Sequence, residues 1–95
     1  MIRLTVLYPV TEGASFDHEY YRDTHVPLAM RTWGVESAEI DKGLRGPYVA
    51  AVHFTFDSIE AQKRAMAAEG TADVLSDVAN FTAIEPILQT SEIVD

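Results

Sequence analysis

Three histidines, at positions 18, 25 and 53, carry the acid–base potential of this chain near neutral pH. Two of them fall in one stretch, FDHEYYRDTHVPL, residues 16–28, together with the adjacent Tyr20 and Tyr21 and with Pro27. His18 lies between Asp17 and Glu19 and reads as a solvated residue in a first helical turn. His25 differs, because Tyr21 precedes it by four residues and so shares its helical face. A neutral imidazole there can donate to the tyrosine oxygen or take a proton from a substrate. It can equally do no more than satisfy carbonyls freed where Pro27 disturbs the helix. His53 sits between Val52 and Phe54 in a strand-like run, as either a paired core residue or part of a cavity.

Other chemistries are poorly served. HEYYR starts like a zinc-binding helix, but Arg22 stands where the second histidine belongs, and His18 and His25 are too far apart along a helix to share an ion. No metal site is expected. The chain has no cysteine, no glycine-rich phosphate loop and no nucleophile elbow. Seven basic against fifteen acidic residues give a net charge of −8, which repels phosphate backbones and anionic lipid. Nucleic acid and membranes are therefore not expected partners. No apolar run approaches the roughly 20 residues of a membrane span. The chain opens on the strand-like IRLTVLY, and we expect a cytoplasmic protein.

The elements that must position these side chains follow from periodicity. Ile2, Leu4, Val6 and Tyr8 alternate along a first strand that Pro9 ends. Ser15 or Asp17 can cap a helix that runs to Trp33 and stops at Gly34, with a kink or pause at Pro27. VESAEIDKGL, residues 35–44, reads as a second strand, and a turn at RGP joins it to YVAAVHFTF, residues 48–56. Asp57 and Glu60 have capping-box spacing and open a helix over residues 58–70, with Ile59, Lys63 and Met66 on one side. A short helix over residues 71–80 should turn Val74, Leu75 and Val78 inward, and EPILQTSEIV is the last strand.

This order, βαββαβ with an extra short helix before the last strand, predicts one α+β domain over residues 1–95. Its ferredoxin-like plan is a four-stranded antiparallel sheet with helices on one face. The other face would carry either Val49, Ala51 and His53 or a run of aromatics. An apolar sheet surface of that kind marks an interface, so a second copy is expected to cover it in a dimeric α+β barrel.

FDHEYYRDTHVPL near the amino end and SDVANFT near the carboxyl end together resemble the EthD family, named for a protein of ethyl tert-butyl ether degradation. The matching residues are Phe16, Asp17, Tyr20, Tyr21, His25, Pro27 and Leu28, then Asp77, Val78, Asn80, Phe81 and Thr82. The resemblance implies a homodimeric barrel related to cofactor-free monooxygenases, muconolactone-type isomerases and polyketide-tailoring enzymes. It also implies that His25 is a proton-transfer group and that His53 stands where some relatives have a second cavity histidine.

The combined expectation is a cofactor-independent oxidoreductase or isomerase for a small apolar or aromatic compound of phenol or enol type. His25 would be its acid or base, Tyr21 would position His25, and His53, Trp33, Phe54 and Phe81 would contact substrate. The alternative is a non-catalytic binding or accessory protein that carries a hydrophobic metabolite in the same cavity. A purely structural dimer would have no enclosed cavity beyond a few water volumes.

Overall fold

Leu4, Val6 and Tyr8 are buried on one side of strand β1 (Ile2–Pro9), as the alternation requires. The computed structural model describes residues 1–94. β1 is followed by a helix in three parts: α1 (His18–Tyr20), a π-helical turn (Tyr21–His25) and α2 (Val26–Trp33). Strands β2 (Ala38–Lys42) and β3 (Tyr48–Phe56) come next, then α3 (Ile59–Met66), α4 (Thr71–Asp77), a 3-10 turn (Val78–Asn80) and β4 (Ile87–Glu92). The strands form one antiparallel sheet in the order β2-β3-β1-β4. The helices lie on one face of it, which is the expected ferredoxin-like plan.

The core lies between that face and the helices. Ala50, Val52, Phe54 and Phe56 of β3 join the β1 side chains, and Tyr21, Val26, Ala29, Ala65, Val74 and Phe81 meet them from the helical layer. The amino-terminal segment is fastened to the carboxyl-terminal one by backbone contacts. Phe16 bridges Thr82, Asp17 N–H donates to the Phe81 carbonyl at 3.0 Å, and the Thr82 hydroxyl donates to the Ser15 carbonyl at 2.7 Å. The two sequence motifs, some 60 residues apart in the chain, are thereby held side by side.

Several expected boundaries shift. β2 spans only five residues, and the hairpin turns just beyond it, where Gly43 N–H donates to the Val49 carbonyl at 2.7 Å. Ser58, in extended conformation, caps α3 by accepting from Ala61 N–H, in place of Asp57. The buried side of α3 is Gln62 and Ala65, whereas Ile59 and Lys63 face outward. Leu75, expected inside, is more than half exposed. α2 ends as predicted at Gly34, whose φ of 68° is left-handed, while Val35 N–H returns to the Met30 carbonyl. An added Cβ at Gly34 would touch nothing within 4 Å, so a side chain there is opposed by backbone conformation alone. Gly34→Ala should therefore destabilise the protein by roughly 1–2 kcal/mol. Thermal unfolding followed by circular dichroism should show a Tm lower by about 4–8 °C per kcal/mol.

Candidate active site

The helix that carries the amino-terminal motif is capped by Asp17, whose carboxylate accepts from Tyr20 N–H at 3.1 Å. One turn later its register widens. Val26 N–H reaches back five residues to the Tyr21 carbonyl, and residues 21–25 form a π-turn. Pro27 has no N–H with which to continue the wide register or to restore the normal one, so the disturbance expected at the proline is spent in the turn just before it. The turn buries both of its aromatic residues: Tyr21 is 0% exposed and His25 6%. Their rings stack, with centroids 5.6 Å apart and planes within 16°.

His25 does not bond to the tyrosine. Its Nδ1 lies 2.9 Å from Oδ2 of Asp77, at the end of α4. The other oxygen of that carboxylate accepts from the Tyr20 hydroxyl at 2.6 Å and from the Asn80 amide at 2.9 Å. Burial alone would push the Asp77 carboxyl up, but the hydrogen bonds from Tyr20, Asn80 and His25 hold it below its ordinary value. An ionised Asp77 fixes the tautomer of His25, with the proton on Nδ1 and a lone pair on Nε2. Burial pushes the His25 imidazole below its usual pKa, and Asp77 offsets only part of that shift. The ring is neutral at pH 7, which is the state a general base needs.

Nε2 has no hydrogen-bond partner among the described residues. His25 instead borders a cavity of about 220 Å³ between the helices and the sheet. Its walls are mostly apolar, with Val6, Val52, Phe54, Met66, Val74 and Leu88 prominent among them. Trp33 closes another side, held by its indole N–H on the Thr71 hydroxyl at 2.9 Å and packed edge-on to Phe54 at 5.0 Å. A cavity of this size is not expected of a purely structural dimer. A wider, open groove of about 690 Å³ shares Trp33 with it and is lined by no histidine or tyrosine. Among the described residues, no three histidine, aspartate or glutamate side chains converge as a metal site would require.

The structure thus brings together four of the six residues singled out from sequence: His25, Tyr21, Trp33 and Phe54 all border the cavity. Phe81 is displaced from that list. It packs its ring 4.5 Å from His25, within an aromatic cluster with Tyr8, Phe16 and Tyr21, and is not part of the cavity wall. His53 is not in the cavity of this chain at all. Its neighbours Val52 and Phe54 point to the helices, so strand alternation sends His53 to the opposite face. There it bridges the Thr5 hydroxyl at 3.1 Å and the Asp41 carboxylate at 2.9 Å. Asp77, Tyr20 and Asn80 were missed as site residues, although the pairing of the two motifs was the available signal.

The chain is thus a ferredoxin-like α+β fold that holds a histidine–aspartate pair beside an apolar cavity. The chain belongs to the EthD family: the EthD domain model matches residues 13–85, and a closely similar solved structure is an EthD-like protein. That protein, from Ralstonia eutropha JMP134, is 42% identical with a TM-score of 0.90, over 99% of this chain and 92% of its own. An EthD family protein from Bacillus halodurans C-125 is 21% identical with a TM-score of 0.79, over 99% of each chain. The fold is also similar to that of SnoaB, a cofactor-independent oxygenase from Streptomyces nogalater. There the identity is 10% and the TM-score 0.65, over 98% of this chain and 94% of that one. No curated protein matches the chain.

Two outcomes follow from the electrostatics. In Asp77→Asn the charge that raises the His25 pKa is gone, so an NMR titration of the His25 ring should show its midpoint moved further down. The depressed pKa also makes the fold acid-sensitive. The unfolded chain takes up this proton first, near pH 6.5, so stability is lost as pH falls below that value. The depressed carboxyl of Asp77 adds a loss of the same sign at lower pH, as it too becomes protonated. His25→Gln should flatten the dependence of Tm on pH below about 6.5. His18, also depressed by burial and by Lys42, supplies part of the remaining slope. In Tyr21→Phe, by contrast, a buried hydroxyl without a well-formed hydrogen bond is removed, and stability should rise by about 1 kcal/mol.

Proposed function

We propose that this protein is a cofactor-independent enzyme that moves a proton on a small, mostly apolar compound of phenol or enol type. The observation that carries the reading is the arrangement of His25: Nδ1 committed to Asp77 and Nε2 unpartnered at the wall of an apolar cavity. Nε2 takes a proton from an O–H, or from a carbon next to a carbonyl, and the electron pair left behind moves onto the oxygen. The imidazolium that forms keeps its Nδ1–H on Asp77, which offsets the new positive charge where water is scarce. Return of the proton to a different atom completes an isomerisation. Where the substrate carbanion itself reacts with dioxygen, the same first step leads to oxygenation, the reaction class of SnoaB.

We also propose that the protein works as a homodimer. The sheet face turned away from the helices carries Thr5, Leu7 and Ala51 on its two central strands and Ile87 on the edge strand beside Leu7, and Arg3 lies on it with its Nε enclosed and without a partner among the described residues. A second sheet would cover this surface without touching the cavity on the other side.

The catalytic reading is tested with 2-indanone, a small ketone with acidic α-hydrogens, by following α-proton exchange in D2O by NMR. The wild type should exceed the buffer rate. His25→Gln should remove roughly 10²-fold or more of the enzymatic part. The rate should rise with pH to a plateau reached by neutral pH, since His25 acts when unprotonated. Exchange that survives His25→Gln, or that never exceeds buffer, would favour the alternative of a binding or accessory protein. Light scattering should give a dimer at micromolar concentration, and a stable monomer would remove the dimer.

A further inference from the structure

The cavity is bordered by fifteen residues, of which five carry a polar atom in the side chain: Tyr8, Tyr21, His25, Trp33 and Thr71. Three of these are unavailable to a ligand. The Trp33 indole donates to Thr71, and the Thr71 hydroxyl donates onward to the Ala65 carbonyl at 2.7 Å. The Tyr21 hydroxyl is fully enclosed by protein. Two polar side chains are left to face a ligand, Nε2 of His25 and the hydroxyl of Tyr8.

Tyr8 enters from β1, on the sheet side of the cavity, and is 1% exposed. Its hydroxyl lies close to that of Tyr21 without a well-formed hydrogen bond, yet it is not wholly enclosed as that of Tyr21 is. The ring of Tyr21 stands between the two free groups. It is edge-on to Tyr8 at 5.5 Å and stacked on His25 at 5.6 Å. Tyr8 and His25 therefore flank one aromatic ring and open into the same small cavity.

We infer that Tyr8 is the substrate-binding partner of His25, donating its phenolic hydrogen to an oxygen of a neutral, ring-sized ligand. This rests on the proposed proton-transfer reading and gives it a substrate class. The volume suits one ring or two small fused rings, since an apolar cavity of about 150 Å³ already holds benzene. No lysine or arginine borders the cavity, so nothing there would hold an anionic group in the ground state. When His25 removes the proton, negative charge develops on the ligand oxygen, and a donor already aimed at it lowers the barrier. Burial raises the Tyr8 phenol above its ordinary pKa, so the group stays protonated and acts as a donor at neutral pH.

The test compares 2-indanone with indane, which has the same shape without the oxygen. Binding is read from the NMR signal of the indole N–H of Trp33, the chain's one tryptophan, which borders the cavity. The wild type should favour the ketone by roughly two- to tenfold, as one hydrogen bond allows. Tyr8→Phe should abolish that preference while indane binding is kept and Tm changes little, because the Tyr8 hydroxyl makes no well-formed hydrogen bond within the protein. Equal binding of the two probes by the wild type, a preference retained in Tyr8→Phe, or no binding of either probe at millimolar concentration would overturn the assignment. His25 is judged separately by proton exchange. Ketone preference with no His25-dependent exchange would leave Tyr8 as a ligand contact in a binding protein. Exchange that depends on His25 but not on Tyr8 would leave the enzyme reading standing and remove this one.

Discussion

The carboxylate of Asp77 is the constraint on which the site depends. It takes hydrogen bonds from Tyr20 and His25 on the first helix and from Asn80 on the turn just beyond α4. A partly buried carboxylate with three donors is ionised and fixed in place, and what it fixes is a histidine that would otherwise turn freely between tautomers. It also ties segments more than fifty residues apart in sequence. Its loss would slacken the packing of α4 on the first helix as well as the placement of the His25 ring. Positioning and stability are served by the same bonds.

The π-turn has a matching role within the helix. A regular α-helix would bring each backbone N–H to the fourth residue before it, and Pro27 breaks that pattern wherever it falls. The chain absorbs the break by widening the turn just before the proline, and this turn carries Tyr21 and His25. Tyr21 then serves through its ring, as a flat partner for the imidazole, rather than through its hydroxyl. The wide turn and the carboxylate act on opposite sides of one side chain: the helix sets where the imidazole lies, and Asp77 sets which nitrogen is free.

Much of the fold was legible because it rests on local rules. Alternation in IRLTVLY and YVAAVHFTF, the glycine that ends α2 and the capping aspartate each act within a few residues, and the structure follows them. The boundaries that moved are those decided by partners far away. β2 ends where the hairpin to β3 turns at Gly43, and Leu75 stays more than half exposed at the edge of the cavity. The site divides in the same way. His25 and Tyr21 could be paired from helical spacing, whereas Asp77 meets His25 only through tertiary packing, and no spacing rule connects residues 25 and 77. Likeness between the two motifs and those of a family named both segments without saying that they touch.

His53 shows how narrow the difference between alternatives can be. Along β3 a shift of one residue exchanges the two faces of the sheet. Were β3 paired one residue out of register, His53 would stand among the core side chains opposite His25, and the cavity would hold two histidines. The observed register sets Val52 against Val6 and Phe54 against Leu4, and it sends His53 to Thr5 and Asp41 on the far face. Burial of Val52 and Phe54 decides that choice, because the reverse would place two large apolar side chains outside and an imidazole in the core. Hydrophobic pairing in the sheet therefore determines which polar groups border the cavity: one histidine with an aspartate behind it, and a phenol from the neighbouring strand.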